Sequence, residues 1–364
     1  MNCLSATASL SEDQWRRVKV DVRVVGIAGL HLDYPRLIAE ELSAQGLRCE
    51  THTIPFFPIG GLRHSVLREL RSEIARTPPG AVSIYCSGAA EYYLRAPDIS
   101  VHFSGYRSWF RSDRMRIVAH PWLTAEPLVG QSLVWKEKPP FTIGFMGTGY
   151  VNSRPSRLAS AMPMPSKQRL LGGQYLRFAD VLAVLYAARV PFKYAATFPR
   201  IEAIRAIEDQ CSKAGATVTV VDTGGFTGSS EQIERYARHM GDATYVLCPR
   251  GAENYSYRLY EALKFGRVPV LIDTEMVLPE GVPWDELIVR VPYSRLSEIG
   301  EIVSRDYEHR TSTEFIARQK LAIQTMTELQ DGGWATGLVN DVRRFLAAKS
   351  SPYQAGGVGS GVKV

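Results

Sequence analysis

Segments typical of strands and of helices alternate along most of this chain of 364 residues, and this alternation limits what it can fold into. A strand followed by a helix and a further strand is the unit from which parallel sheets are built. Strands are predicted at 18–27, 47–54, 81–86, 99–103, 115–119, 141–147, 192–197, 217–221, 244–247 and 268–272. Helices are predicted at 34–45, 64–76, 175–188, 200–213, 230–239, 255–265, 313–330 and 341–349. The fold class is therefore α/β, with Rossmann-like parallel sheets and C-terminal helices.

The chain is longer than one hydrophobic core usually organises, so two domains are expected. A polar stretch stiffened by two prolines, residues 136–140, separates the predicted strand at 141–147 from everything before it. We place an N-terminal Rossmann-like domain on the acceptor side at 1–138. A C-terminal donor domain with terminal helices follows at 139–349, and a flexible Gly/Ser-rich tail at 350–364. The two domains are expected to face each other across a cleft.

Composition excludes several classes of protein. With 45% hydrophobic residues the chain is globular rather than disordered. Its five cysteines are widely spaced and form no C-x-x-C pair, which argues against a disulfide framework or a zinc site. Neither a signal-peptide pattern nor an apolar run long enough to span a membrane is found, so we expect a cytoplasmic protein, with an association at the membrane surface left open.

The net charge of +6 is unevenly distributed: residues 141–240 hold 12 Lys/Arg against 7 Asp/Glu. This excess is weaker than that of a typical nucleic-acid binder, and no nucleic-acid recognition motif accompanies it. Small anions are the favoured ligands, and no nucleic-acid partner is expected.

The segment 245–279 is the most informative part of the sequence. A predicted strand runs into a Pro-Arg-Gly turn, a polar loop and a helix, so that the helix N-terminus, with its free N–H groups, suits a phosphate or diphosphate. If Leu259 faces the core, Arg258 and Glu261 lie away from the apolar side of the helix. An arginine binds phosphate bidentately, and a carboxylate accepts hydrogen bonds from the hydroxyls of a ribose. The alternative is an exposed ion pair between these two residues.

Four motifs occur here in order: CPRG, then S-x-R-L-x-E-A-L, then G-x-V-P-V-L-I-D, then L-P. In this order and spacing they resemble the C-terminal half of the exostosin family of glycosyltransferases, over residues 243–293. A weaker likeness covers residues 145–158, and the N-terminal domain offers none.

The resemblance implies a GT-B fold of two domains. It also implies inverting transfer from a nucleotide-sugar, usually a UDP-sugar, without an obligatory metal or other cofactor. Glu261 would bind the ribose, Ser256 and Arg258 would lie near the diphosphate, and Gly147 would let the backbone approach the donor. Further donor-binding candidates, assigned in the same way, are Arg154, Arg157, Arg250, Asn254 and Tyr255. For Arg154 and Arg157 a solvated basic loop is the alternative.

Asp273-Thr274-Glu275 imitates the metal-binding D-x-D motif of another glycosyltransferase fold. An acidic turn at this place belongs to the exostosin-like pattern itself, so no metal site is assigned.

Inverting transfer needs a base that takes the proton of the acceptor hydroxyl. The first strand leads into a loop that holds His31 and Asp33, where a carboxylate would orient the histidine as base. Structural roles are the alternative, with Asp33 as the N-cap of the next helix. Glu91 and Glu126 are weaker candidates.

Residues 106–116 interleave four arginines with aromatic residues, a composition that suits a glycan or a lipid-linked glycan acceptor. The alternative is an ordinary segment whose aromatic rings pack inward. The sequence thus favours an inverting glycosyltransferase acting in surface polysaccharide synthesis. A non-catalytic nucleotide-sugar or glycan-binding partner of a transferase and a nucleotide-sugar epimerase or hydrolase remain as alternatives.

Overall fold

In the residues that it describes, the computed structural model has two parallel sheets of five strands each, with helices packed on them. The residues described are 20–27, 33–54, 64–87, 97–107, 110, 113, 115–119, 134–148, 161, 163–165, 167, 198–224, 229–251 and 254–350.

The first sheet has the strand order β2-β1-β3-β4-β5, and all its pairings are parallel. Helix α1 (Tyr34–Ala44) buries Ile38 and Leu42 against this sheet, and α2 (His64–Ala75) lies beside it. The strands are β1 (Val22–Ile27), β2 (Cys49–Ile54), β3 (Val82–Ser87), β4 (Ile99–His102) and β5 (Met115–Ile117).

The second sheet has the order β10-β9-β8-β6-β7, again with parallel pairings. If β6 is counted as the first strand and β7 as the second, the strand order from β7 to β10 is 2-1-3-4-5. The first sheet has the same doubly wound order. In such a sheet the order reverses beside the first strand, and ligands bind at the carboxyl ends of the strands there. The strands are β6 (Thr142–Gly147), β7 (Thr217–Asp222), β8 (Tyr245–Cys248), β9 (Val268–Asp273) and β10 (Val289–Pro292).

Helices cover the second sheet and continue beyond it. Helix α3 runs on into a π-helical turn, Ile207–Cys211, and short 3₁₀ segments span Tyr293–Glu298 and Gly333–Ala335. The helices are α3 (Phe198–Ala206), α4 (Ser230–Asp242), α5 (Tyr257–Lys264), α6 (Trp284–Leu287), α7 (Ile299–Glu308), α8 (Ser312–Gln330) and α9 (Thr336–Ser350).

Helix α9 packs on the first sheet, although the sequence analysis assigns its residues to the C-terminal domain. Leu338, Val339 and Val342 belong to the apolar core around β1, β3 and β4. Lys349 Nζ donates a 2.7 Å hydrogen bond to Asp98, which lies directly before β4. The last helix thus completes the core of the first sheet, and the domain bounds drawn from the sequence stay a prediction.

The loops at the carboxyl ends of the two sheets touch. Tyr106, beyond β4, forms an isolated antiparallel bridge with Met276, beyond β9. The backbone N–H of Arg107 donates to Glu275 O at 2.9 Å, and Asn254 Nδ2 donates to Gly105 O at the same distance. The two sheets therefore face each other with their carboxyl edges, where ligand-binding loops are expected.

The α/β class with two Rossmann-like sheets is confirmed by this topology. The predicted helix at 255–265 begins two residues later, at Tyr257, so that Tyr255 and Ser256 precede it. The predicted elements at 175–188 and 192–197 and the tail after 350 lie outside the described residues. Within the described part of the chain, no helix is both long enough and apolar enough to cross a bilayer.

Candidate functional site

The candidate site lies where the strand order of the second sheet reverses, between β6 and β8. Helix α5 follows β8 and a short loop, and its side chains Arg258 and Glu261 lie beside the carboxyl end of β6 and against α4. The opposite side of α5 buries Leu259, Ala262 and Leu263, as the apolar pattern of the sequence predicts. Arg258 and Glu261 thus meet different elements, so the alternative of a merely exposed pair does not describe them.

Glu261 is held by a tyrosine of the neighbouring helix. Tyr236, a buried residue of α4, donates a hydrogen bond of 2.6 Å from its hydroxyl to Glu261 Oε2. Burial and the charge of Glu261 raise the pKa of Tyr236 well above its ordinary value, so the hydroxyl keeps its proton and stays a donor. Since a carboxylate accepts up to about four hydrogen bonds, Glu261 retains acceptor capacity for a ligand.

Arg258 lies across the end of β6. Its Nη2 donates to Met146 O at 2.9 Å, and its guanidinium stacks over the Phe145 ring with 4.5 Å between Cζ and the ring centroid. Burial lowers the pKa of Arg258, but the neighbouring Tyr236 and Glu261 outweigh that effect, and the net pKa is raised. The side chain is therefore a fixed cation at the switch point of the sheet.

Gly147 makes room for Arg258. A Cβ atom at position 147 would lie 2.4 Å from Arg258 Nη2, closer than two atoms can approach. The sequence analysis expects Gly147 to let the backbone approach the donor. The structure gives the glycine a nearer neighbour, the guanidinium itself.

Arg200, in the first turn of α3, was missed by the sequence analysis. Its Nη1 donates to Thr148 O at 3.0 Å and its Nη2 to Arg250 O at 3.3 Å. Burial and the charge of Arg258 lower the pKa of Arg200 to about 10. One feature of the sequence could have indicated Arg200. A cation in the first turn of a helix is unfavourable because the helix macrodipole is positive there. The positions three and four residues later, Ala203 and Ile204, provide no acidic partner for an ion pair along the helix.

Arg250 and Asn254, both donor-binding candidates, are buried where the two sheets meet. Arg250 Nη2 donates to the Tyr106 hydroxyl at 3.0 Å. Asn254 donates to Gly105 O and to Thr274 O, and its side-chain oxygen accepts from the Thr274 hydroxyl at 2.6 Å. These contacts favour a structural role for both side chains, namely to fix the loop before α5.

Ser256 is the N-cap residue of α5, and its side chain makes no capping hydrogen bond. Its hydroxyl lies at the N-terminus of α5, and its role at the diphosphate stays a prediction. The Tyr255 hydroxyl donates a 2.7 Å hydrogen bond to the hydroxyl of Tyr257, the first residue of α5. Tyr255 is half-buried and Tyr257 is exposed.

Asp273, the first residue of the D-x-D imitation, forms ion pairs instead. Arg107 Nη1 lies 2.9 Å and Arg290 Nη1 3.0 Å from Asp273 Oδ2. Among the described residues no cluster of three or more His, Cys, Asp or Glu side chains has the arrangement of a metal site. Metal independence itself stays a prediction.

In the first sheet, Asp33 is the N-cap of α1, which the sequence analysis gave as the alternative to a catalytic role. Its Oδ1 accepts from Arg36 N at 3.2 Å and from the Thr53 hydroxyl at 2.8 Å. His31, Glu91 and Glu126, together with Arg154 and Arg157, lie outside the described residues. The described neighbours of His31 and Glu91 are the ends of β1 and β3, the strands between which the order of the first sheet reverses.

In residues 106–116, the described side chains bind within the protein. The Tyr106 ring is buried against Arg250, and Arg116 forms an ion pair with Asp341 of α9. For Tyr106 and Arg116, the alternative of an ordinary packed segment is favoured over an acceptor surface.

Comparison with known proteins gives a family match over the segment that contains this site. Residues 195–305 match the family profile described as the Exostosin GT47 domain. This segment is similar to the exostosin GT47 domain. The resemblance to the exostosin family predicted from the sequence is thereby confirmed, and the GT47 segment contains Arg200, Tyr236, Arg258 and Glu261.

Plant proteins match part of the chain. The probable glucuronosyltransferase GUT1 of Oryza sativa is 35% identical over 81 residues, which are 22% of this chain and 19% of the rice protein. The probable beta-1,4-xylosyltransferase IRX10 of Arabidopsis thaliana is 36% identical over 81 residues, 22% of this chain and 20% of the plant protein. The matched region is thus about a fifth of either relative.

Solved structures resemble the chain over most of its length. Sucrose-phosphate synthase from Thermosynechococcus elongatus is matched over 90% of this chain and 100% of that chain, with 13% identity and a TM-score of 0.42. A glycosyltransferase from Rickettsia africae is matched over 92% and 100%, with 9% identity and a TM-score of 0.41. Scores this low do not establish a shared fold, and the architecture stands on the two sheets described above.

Proposed function

We propose that the protein is an inverting glycosyltransferase that moves a sugar from a nucleotide-sugar, a UDP-sugar, to a glycan acceptor. The observation that carries this proposal is the placement of Arg258 and Glu261, in a GT47 domain, at the switch point of the second sheet. A cation for phosphate and a carboxylate for ribose lie one helical turn apart there, as a nucleotide requires.

The donor is bound mainly by α5 and its surroundings. Glu261, fixed by Tyr236, accepts hydrogen bonds from the ribose hydroxyls. Arg258, the Ser256 hydroxyl and the N–H groups of the first turn of α5 bind the diphosphate. Arg154 and Arg157, which follow β6 in the sequence, add positive charge. Arg250, Asn254 and Tyr255 hold the loop before α5 in place.

The acceptor approaches from the first sheet. Its hydroxyl oxygen forms a bond to the anomeric carbon while the bond from that carbon to the diphosphate oxygen breaks, and the electron pair leaves with the diphosphate. Arginines and helix N–H groups stabilise the negative charge that develops there. A base from the N-terminal part of the chain takes the hydroxyl proton; His31, two residues before Asp33 in the sequence, is our first assignment, and Glu91 and Glu126 are the others.

The proposal also covers the class of acceptor, the place of action and the roles of the two domains. We propose a surface polysaccharide or a lipid-linked glycan as the acceptor, and the cytoplasm, at the membrane surface, as the place of action. We assign the acceptor side to residues 1–138 and the donor side to residues 139–349. Helix α9, although it belongs to the second range, packs on the acceptor side.

The test is a thermal-shift screen of the purified protein against nucleotides and nucleotide-sugars, with and without EDTA. A ligand that binds only the folded state raises its stability by about 2.7 kcal/mol at a hundredfold excess over Kd. We expect UDP and one UDP-sugar to raise the Tm, without sensitivity to EDTA, and Glu261→Gln to abolish the shift. Glu234→Gln, on the exposed side of α4, is the matched control and keeps it.

Product analysis then separates the alternatives. Transfer to an added glycan supports the proposal, whereas conversion or hydrolysis of the sugar without acceptor indicates an epimerase or a hydrolase. Donor binding without turnover indicates a non-catalytic partner. A protein stabilised by no nucleotide at all contradicts the proposal.

A further inference from the structure

Arg200 is a half-buried cation whose hydrogen bonds go to main-chain carbonyls, those of Thr148 and Arg250. Its Nε is buried and has no hydrogen-bond partner within the part of the chain that the structure describes. Two other buried arginines, Arg23 and Arg318, are paired with acids. Arg23 contacts Glu50 and Glu73, and Arg318 contacts Asp306.

A cation in this position is costly. Removing a guanidinium from water is unfavourable unless a counter-charge and hydrogen bonds compensate for it, and carbonyl dipoles compensate only in part. The first turn of α3 adds to the cost, because the helix macrodipole is positive there and no acidic residue occurs in that turn. The described contacts of Arg200 thus compensate only part of the cost of burying its charge.

Arg200 and Arg258 bind the same short segment at the end of β6. Arg258 donates to the carbonyl of Met146, and Arg200 to that of Thr148, two residues further on. Two residues of extended chain span roughly 7 Å, so two guanidinium groups flank the carboxyl end of this strand. Repulsion between them is one cause of the lowered pKa of Arg200. An anion with several charges, bound between them, would relieve this repulsion.

Glu261 does not neutralise this pair. Its carboxylate accepts from Tyr236, and its electrostatic effect is exerted on Arg258 rather than on Arg200. Among the described residues the site thus combines the carboxylate of Glu261 with two arginines, an excess of positive charge.

We propose that Arg200 is a ligand of the donor's diphosphate, and that Arg200 and Arg258 together form a pair that selects diphosphates over monophosphates. This inference rests on the proposed function, because the diphosphate is that of the nucleotide-sugar. Arg258 reaches the diphosphate from α5 and Arg200 from α3, so two elements on opposite sides of β6 share its charge. The nucleoside diphosphate that is released by sugar transfer binds in the same way.

The experiment is isothermal titration of the wild type, Arg200→Gln and Arg205→Gln with UDP, UMP, uridine and inorganic pyrophosphate at constant ionic strength. Arg205 lies in the same helix with an exposed side chain, so its variant removes an equal charge away from the site. We expect Arg200→Gln to lower the ratio of UDP affinity to UMP affinity at least tenfold and to weaken pyrophosphate binding. Arg205→Gln leaves both unchanged. A purely structural role of Arg200 would lower the Tm of the free protein without changing this ratio.

The outcomes separate the two proposals. If the wild type binds UDP in a Glu261-dependent manner and Arg200→Gln keeps the ratio, this inference is overturned and the proposed function stands. If pyrophosphate binds through Arg200 but no nucleotide does, the arginine pair stands and the proposed function fails. If neither binds, both are wrong.

Should Arg200→Gln fail to fold, Arg200→Lys serves the same purpose. An ammonium group keeps the charge but lacks the planar fork that contacts two carbonyls and a phosphate at once. We expect the ratio of UDP affinity to UMP affinity to fall at least threefold, and an unchanged ratio overturns the inference.

Discussion

The hydroxyl of Tyr236 donates a 2.6 Å hydrogen bond to Oε2 of Glu261, joining α4 to the face of α5 that carries the candidate site. Because the tyrosine is buried, its position is fixed by packing against the core around α4 and β8. The carboxylate is thus oriented before any ligand binds, and less conformational entropy is lost when it accepts hydrogen bonds from a ribose.

Replacing Tyr236 by phenylalanine removes this hydrogen bond and keeps the ring. We expect the free energy of unfolding to fall by about 1 kcal/mol, and the affinity for UDP to fall about fivefold because Glu261 becomes mobile. Urea unfolding and calorimetric titration measure the two effects. Tyr260→Phe makes the same chemical change on the opposite side of α5 and leaves UDP affinity unaltered. Equal UDP affinities in wild type and Tyr236→Phe would show that the hydroxyl does not position the carboxylate.

Replacing Gly147 by alanine places a methyl group 2.4 Å from the present position of Arg258 Nη2. The guanidinium is the far end of a flexible side chain, so we expect it to move away while the fold persists. UDP affinity should fall at least tenfold, with no change in the far-ultraviolet circular dichroism. Gly241→Ala, in α4, meets no neighbouring atom within 4 Å and serves as the control. Full UDP affinity in Gly147→Ala would mean that the observed position of Arg258 is not needed for binding.

Asn254→Ala tests the contact between the two sheets. The amide makes three hydrogen bonds, to Gly105 and Thr274, and its loss leaves buried carbonyl groups without their donors. We expect a loss of about 1–3 kcal/mol in the free energy of unfolding, together with faster limited proteolysis of the native protein. The exposed Asn340 provides the control substitution to alanine. Wild-type stability in Asn254→Ala would show that this amide does not hold the two units together.

The anchoring of α9 is expected to depend on pH. Burial raises the pKa of Asp98, but the hydrogen bonds from Lys349 and Ser83 outweigh that effect and hold the pKa below its ordinary value. A carboxyl group with a depressed pKa stabilises the fold above its unfolded pKa, and this contribution is lost as the pH falls through its folded pKa. Asp98→Asn should therefore be less stable than the wild type at pH 7, and the difference should shrink between roughly pH 5 and pH 2.

Thermal unfolding of both proteins across this pH range is the measurement. Asp285→Asn, at an exposed position, should show no such convergence with the wild type. A difference between Asp98→Asn and the wild type that is independent of pH would contradict the role of the ionised carboxylate.

The sequence predicts the fold well because the evidence for it is local. The alternation of apolar strands with amphipathic helices is visible in short windows, and the core-facing side of α5 follows from the spacing of Leu259, Ala262 and Leu263. The positions of Arg258 and Glu261 away from that side follow in the same way.

What the sequence does not reveal depends on contacts between distant segments. Tyr236 reads as an ordinary apolar position of an amphipathic helix, and its hydrogen bond to Glu261 links residues 25 positions apart. The burial of Asn254 depends on a loop from the other sheet, 149 positions away, so that it resembles a ligand-binding residue in sequence alone. The sequence shows that Arg200 occupies an unfavourable position in the first turn of α3. Its proximity to Arg258 is visible only in the structure.

Helix α9 has a consequence for how the chain acquires its structure. Leu338, Val339 and Val342 cover apolar residues of β1, β3 and β4, which are synthesised more than two hundred residues earlier. While translation proceeds from the amino end, the first sheet lacks one of its covering helices, and it carries an exposed apolar face until the last helix emerges from the ribosome. The described strands and covering helices of the second sheet follow one another more closely, so the half with the candidate site is expected to become stable first.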